Sequence, residues 1–342
     1  MPAAMAETHA HSPIPVATAP GAGGRLRVGV LTNPRSGGNK QGVGEIRSLL
    51  AGWPDVPHRE ASTPEDITAE LADLARQGVD LLVVNGGDGT VHAVLTAIGR
   101  DPIFEKPPLL ALLCAGTTSM LARDVGLPGS AAAALALILE WAKAADANLT
   151  ILPRPVLRVS GASHPLPLFG MFFGAGAICQ GIRIFHSGVN PMCWRGELMP
   201  GLALLRMLLA ILCKDHDKVP PLPTRTGLDD RPPEERENLF VLVSTLERLF
   251  LGLQPYWGTQ DGPLRYTAVG AEPKRLLQVL PSLFRQQKSR HLSQANGYFS
   301  DNARMVQLEM AGDFTLDGEL YEAGEGPVCI EATEPVMFLR PR

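Results

Sequence analysis

Four short segments carry the residue types that chemistry on phosphate would need. The first, Gly86-Gly87-Asp88-Gly89-Thr90, lies between an apolar run and a helix-like pattern. Glycines there let the backbone come close to an anionic ligand, and the following helix offers unbonded amides at the positive end of its dipole. Asp88 is the odd member, because a carboxylate beside phosphates repels them unless a metal lies between or it orients a hydroxyl. The loop therefore points to magnesium-nucleotide chemistry; the plainer reading is a strand-to-helix turn with Asp88 as cap. Asn33-Pro34-Arg35-Ser36-Gly37-Gly38 and Gly116-Thr117-Thr118 are two further turns of the same character. The P-loop and the G-x-G-x-x-G dinucleotide fingerprint are both absent. The fourth segment is Asp317-Gly318-Glu319, between Phe314 and Leu320-Tyr321. Transfer of a phosphoryl group to a hydroxyl needs a positioned carboxylate to take the proton. From the residues alone, an Asp-Gly hairpin turn with solvated acids is the stronger reading of this segment.

The elements that would position these segments alternate. Leu26–Leu31 reads as a strand, and a helical pattern follows through Ile46, Leu49 and Leu50. Ser62-Thr63 before Pro64-Glu65-Asp66 marks a helix start, with a capping hydroxyl, proline in the first turn and acids near the positive dipole end. Asp80–Val84 and Leu109–Leu113 are continuous apolar runs, as expected of strands buried on both faces. Alternating strands and helices predict a parallel α/β sheet over residues 25–150, with all three turns at the carboxyl edge of the strands, where ligands bind. Beyond that point short β-like runs with Pro and Gly breaks predict a second, mostly antiparallel, β-sandwich-like domain over residues 151–342. A helical insertion is expected over about 182–213, an exposed loop over Pro220–Glu237, and a last segment returning to the first domain.

Asn33-Pro34, Ser36-Gly37, the loop Gly86–Thr90, Gly116-Thr117-Thr118 and Ala122-Arg123 together resemble the diacylglycerol kinase catalytic family, which includes bacterial lipid kinases and sphingosine and ceramide kinases. The resemblance implies a fold of the NAD kinase/diacylglycerol kinase type, with ATP and Mg²⁺ bound at the cleft between the two domains. It assigns the nucleotide site to Asn33, Pro34, Ser36, Gly37, Thr63, Gly86, Gly87, Asp88, Gly89, Thr90, Val91, His92, Gly116 and Thr117. It makes Glu319 the proton acceptor, supported by Asp317 and Asp88. Asp261-Gly262-Pro263-Leu264 resembles a family segment that binds structural magnesium, which would make Asp261 a metal ligand; a β-turn is an equal reading. Relatives usually carry Asn where this chain has Ser119, and often Asn in place of His92.

The implied activity is ATP-dependent phosphorylation of a lipid hydroxyl, with a role in phospholipid biosynthesis. A diacylglycerol-like acceptor is favoured because residues 168–184 hold no Asp or Glu to meet the amine of a sphingoid base. Ceramide or sphingoid-base kinase, NAD kinase and a non-catalytic nucleotide- or lipid-binding regulator are the alternatives. The net charge of −4 offers no basic excess for nucleic acid. Residues 1–24 lack the basic start and apolar core of a secretory signal and read as a disordered tail. Cys114, Cys179, Cys193, Cys213 and Cys329 have no C-x-x-C spacing and read as reduced thiols of a cytoplasmic protein. The expected partner is a lipid substrate, with room for a homodimer and for peripheral contact with the inner membrane face. Arg183, Arg195 and Arg206, with Met192, Trp194 and Met199, mark residues 182–213 as the candidate membrane contact.

Overall fold

The computed structural model describes residues 26–116, 118–144, 149–187, 220–285 and 289–342. Two sheets organise them. The first has six strands in the order β2 (His58–Glu60), β1 (Val28–Thr32), β3 (Leu81–Gly86), β4 (Leu109–Cys114), β17 (Val336–Pro341) and β5 (Leu149–Arg154). All neighbours are parallel except the antiparallel pair of β17 and β5. Helices α1 (Asn39–Ala51), α2 (Pro64–Arg76), α3 (Asp88–Arg100), α4 (Met120–Val125) and α5 (Ala131–Ala144) complete this unit. The continuous apolar runs have a direct cause. On β3, Leu81 and Val83 join a core with Ile138 and Leu139 of α5, while Leu82 and Val84 join one with Leu71 of α2 and Val94 of α3. Each face of the strand is covered, so Leu81–Val84 are all apolar.

The second sheet has eleven strands and is antiparallel. Its strands are β6 (Leu157–Ser160), β7 (Leu168–Gly170), β8 (Phe172–Gly176), β9 (Leu222–Leu228), β10 (Glu234–Ser244), β11 (Leu264–Gly270), β12 (Tyr298–Ala303), β13 (Met305–Met310), β14 (Asp313–Leu316), β15 (Glu319–Glu322) and β16 (Val328–Ala332). The long strand β10 joins its parts: Glu234–Asn238 pair with β9, Phe240–Ser244 pair with β8, and β11 runs along its other side past a bulge. Side chains from both ends of the sheet, such as Leu157, Val243, Tyr266 and Phe314, share one core. Helices α6 (Ala177–Ser187) and α7 (Leu276–Arg285) lie outside it.

The structure differs from the sequence expectation at three places. Leu149–Arg154 belongs to the first sheet, because its register with Val336–Pro341 is closed by backbone hydrogen bonds. Pro220–Glu237 is not a loop but the β9–β10 hairpin. Its charged residues alternate with the buried Thr224 and Thr226, so a period of two runs beneath the polar composition. The helical insertion starts at Ala177, and the greater part of residues 182–213 lies outside the described residues, as do Arg195 and Arg206.

The two units meet along α3. Val91, Val94 and Leu95 pack in one core with Phe169, Met171 and Phe172 of the second unit. Thr96 pins the contact: its hydroxyl donates to the Phe169 carbonyl and accepts from the Phe169 amide, both at 3.1 Å. At α4, Asp124 accepts the amides of Glu247 and Arg248 at 3.1 and 3.0 Å, and Arg154 donates to the Thr245 carbonyl and the Glu247 carboxylate. Thr96→Val keeps the volume but leaves both Phe169 backbone groups buried without a partner, which costs about 2 kcal/mol. Urea unfolding should show that loss; an unchanged midpoint would mean that α3 and β7 do not need this clasp.

Candidate active site

Three turns converge at the carboxyl edge of the parallel strands. After β1, the Asn33 amide donates to the Asn85 carbonyl at 2.9 Å, and the Asn33 side chain donates to Thr90 Oγ1 at 2.9 Å while accepting from the Arg35 amide. Ser36 Oγ accepts from the Gly87 amide at 3.1 Å. Asn39, buried at the start of α1, donates to the carbonyls of Asn33 and Asn85. These bonds fasten the first turn to the glycine loop. Between the second and third turns the backbones nearly touch. A Cβ on Gly116 would fall 2.7 Å from the Gly87 Cα, so neither position tolerates a side chain. The third turn is closed by Ser119, whose hydroxyl accepts from the Gly116 amide at 2.8 Å and whose backbone adopts φ 46°. Asn is among the residues that enter this left-handed region most readily and can make the same local bond.

Asp88 lies at the centre of this arrangement but does not face the open edge. Its two oxygens accept the Met120 and Leu121 amides, each at 3.0 Å, so it caps the short helix α4 across the loop. Asp88 thus ties the glycine loop to the third turn, a structural task that the sequence reading did not assign to it. Burial raises its pKa, the two amide bonds lower it, and the net effect is a carboxyl pushed up to about 6. No side chain caps α3 at Gly87. Ser36 takes the Gly87 amide, and Thr90 and Val91 turn theirs back to the Gly87 carbonyl, so the amides of Asp88 and Gly89 are the ones this thirteen-residue helix offers to an outside acceptor.

Glu319 is the acid that does reach the loop. A Cβ on Gly89 would lie 2.7 Å from Glu319 Oε1, so the exposed carboxylate rests against the first turn of α3. It is held there by a two-residue hairpin between β14 and β15, with φ of 52° at Asp317 and 96° at Gly318. Both central residues at positive φ make the tight hairpin for which Asp-Gly is suited. The hairpin reading is therefore correct for the backbone, but the acids are not both solvated. Asp317 is 4% exposed and accepts the Met171 amide at 3.0 Å and the Phe172 amide at 2.9 Å. It ties the hairpin to the junction of β7 and β8.

His92 and Val91 correct the expected nucleotide contacts. Val91 is 2% exposed in the shared core. His92 is buried with Nε2 at 2.6 Å from the Tyr321 hydroxyl, and its Nδ1 faces Asp317 Oδ2 at 3.7 Å. Burial and the neighbouring Glu319 charge push Tyr321 up to about 12, so its phenol stays protonated at neutral pH. Thr63 spends its side chain on capping α2, accepting from the Asp66 amide at 3.2 Å. Pro34, Gly37, Gly86 and Thr90 lie in the converging turns, while Thr117 is outside the described residues. Asn39, Thr96 and Tyr321 were missed as structural partners because their roles depend on residues distant in sequence, whereas Ser119 acts locally on Gly116.

The residues fit a phosphate group better than a resident metal. The converging turns and the uncapped helix supply amide donors, whereas no group of three or more His, Cys, Asp or Glu could hold a metal among the described residues. Asp261 is exposed in the turn before β11. Cys114, Cys179 and Cys329 are free thiols, and Cys193 and Cys213 lie outside the described residues.

The raised Asp88 pKa has a signed consequence. The folded state binds this proton more tightly than the unfolded chain, so its stabilising contribution is full below about pH 4 and is lost as pH rises through about 6. Asp88→Asn should therefore gain on the wild type by about 2 kcal/mol between pH 4 and pH 7.5, whatever its starting cost. Paired denaturant titrations at the two pH values would read this, and a pH-independent difference would refute a buried, destabilised carboxylate.

Residues 27–148 match the model of the diacylglycerol kinase catalytic domain. The chain is 26% identical over 328 residues to a diacylglycerol kinase of Mycobacterium tuberculosis, covering 92% of this chain and 96% of that protein. It is 34% identical over 114 residues to the Stenotrophomonas maltophilia protein named probable lipid kinase YegS-like, where the match spans 32% of this chain and 36% of that one. The fold is shared with the crystal structure of a diacylglycerol kinase from Bacillus anthracis, at a TM-score of 0.59 and 21% identity over 92% of this chain and 96% of the other. The likeness to the diacylglycerol kinase catalytic domain is thus carried by residues 27–148.

Proposed function

We propose that the protein is an ATP-dependent lipid kinase that transfers the γ-phosphoryl group to a lipid hydroxyl, with a diacylglycerol-like acceptor. The observation that carries this reading is the Glu319 carboxylate resting against Gly89 at the open amino end of α3. An anion-binding helix end and a carboxylate free to take a proton are the two parts that phosphoryl transfer to an alcohol requires.

In this reading the turns at Asn33–Gly38, Gly86–Thr90 and Gly116 hold the nucleotide phosphates by backbone amides. Ser36 and Thr90, already fixed to the loop, shape that cradle. Glu319 accepts the proton of the acceptor hydroxyl as its oxygen bonds to phosphorus and the bond to the leaving diphosphate breaks. Asp317 and the Tyr321–His92 pair fix the hairpin that carries Glu319. Magnesium would arrive on the nucleotide, since such ions keep several waters and bind through phosphates with one or two carboxylates, and it would offset the charge that develops there. Support for a neutral lipid acceptor comes from β7, β8 and the start of α6, which contain no Asp or Glu. Relatives named diacylglycerol kinase and lipid kinase support the same class.

A radiolabelled-ATP assay over diacylglycerol, monoacylglycerol, ceramide, sphingosine and NAD tests the proposal. Label should enter diacylglycerol, and Glu319→Gln should lower kcat by about 10²-fold or more without changing the melting temperature. Full activity of that variant would remove the base, and label entering NAD alone would replace the substrate class.

A further inference from the structure

The helix α7 carries an apolar face that nothing among the described residues covers. Its inner face is ordinary: Val279 is buried, and Leu276 and Leu283 pack with Leu239, Val269 and Tyr298. Its outer face bears Leu277, Pro281 and Phe284, spaced four and three residues apart, so all three share one side of the helix. Leu277 is 61% and Phe284 45% exposed, two of the four large apolar side chains that stand exposed among the described residues. A helix apolar on both sides is normally enclosed. Here one side meets solvent.

The charges from Lys274 onward share one sign, with Glu272 two residues before them. From Lys274 to Arg290 the sequence holds Lys274, Arg275, Arg285, Lys288 and Arg290 and no carboxylate, in a chain whose net charge is −4. Lys274 and Arg275 are exposed immediately before the helix, where its own dipole is positive and cations are disfavoured. Their placement therefore costs helix stability instead of adding to it. Arg275 and Arg290 also converge across the element, since both act on His291 and lower its pKa beyond the effect of desolvation. A cation pair and an apolar ridge on one element match an anionic headgroup layer above acyl chains. A polyanion without apolar depth, such as RNA, would leave Leu277 and Phe284 unexplained. The surface also adjoins the proposed acceptor side: α7 packs against Ala177 at the start of α6, and Arg183 of α6 pairs with Asp313 on β14, the strand that leads to Glu319. That pairing also engages the one arginine of the expected 182–213 membrane contact that falls within the described residues.

We infer that the outer face of α7, with Lys274, Arg275 and Arg290, docks the protein on anionic phospholipid bilayers. The reading of a lipid acceptor gives this surface its purpose, but docking is measurable without turnover. Flotation of the full chain with phosphatidylcholine vesicles, with and without about one third phosphatidylglycerol, tests it. The wild type should bind the anionic vesicles at least about tenfold more tightly. Lys274→Glu with Arg275→Glu should remove most of that preference at low salt, and Leu277→Ser with Phe284→Ser should weaken binding about tenfold at any salt. Both pairs lie on the surface and should lose no melting temperature, the glutamate pair gaining slightly at the helix start, and both should keep turnover of acceptor in detergent micelles. Equal vesicle binding by all forms, or no binding by the wild type, would overturn the proposal. Loss with the glutamate pair but not the serine pair would also overturn it, in favour of a polyanion site. Docking without any lipid phosphorylation would leave this surface standing and defeat the kinase reading alone.

Discussion

The carboxylate of Asp317 accepting the amides of Met171 and Phe172 is the interaction on which the active-site geometry hangs. Those amides sit where β7 turns into β8, and the same junction packs on α3 through Phe169 and Thr96. The Asp317 amide donates back to the Phe172 carbonyl at 2.8 Å, so the hairpin is tied in both directions. Gly170 is part of the same joint, because a Cβ there would fall 2.3 Å from Asp317 Oδ2. The result is that a helix from one unit and a hairpin from the other are registered through a single buried anion. Hydrogen bonds to a charged acceptor are stronger than neutral ones, which suits a joint that must fix a neighbouring side chain.

Two carboxylates of the site are consumed in construction, and one is left outward. Asp88 binds the third turn to the second through the start of α4; Asp317 binds the hairpin to the second domain. Glu319 has neither task. The separation of the two scaffold acids from the outward one is a matter of where amides point. Met120 and Leu121 present theirs to Asp88, Met171 and Phe172 present theirs to Asp317, and Glu319 looks onto the Cα of Gly89.

Much of this was legible in the sequence because it is local. Continuous apolar runs at Leu81–Val84 and Leu109–Leu113 disclose strands covered on both faces, and Thr63-Pro64-Glu65-Asp66 discloses a helix start; both are signals contained in a few residues. The convergence of the three turns followed from parallel topology. The direction of side chains did not. Asp88 reads as a phosphate-side acid until the helix thirty residues later is seen to offer its amides, and His92 reads as a nucleotide contact until Tyr321 arrives from more than two hundred residues away. The β9–β10 hairpin escaped notice because its exposed alternate positions carry Arg, Glu and Pro, which hide a two-residue period beneath a loop-like composition.

The position of β17 sets the order in which the chain can become a protein. Phe338 pairs with Leu110 on one side and Leu152 on the other, filling a slot between β4 and β5. The strands that flank the slot are complete about 185 residues before the strand that fills it, a closure whose entropy cost is modest but which waits on synthesis. Emerging from the ribosome, the first sheet stays divided while the whole second unit is made. Until then β4 presents an open edge, the kind of surface that invites pairing with another chain. β17 therefore acts as a seal, and closure of the first sheet is coupled to synthesis of a strand that follows the whole second unit.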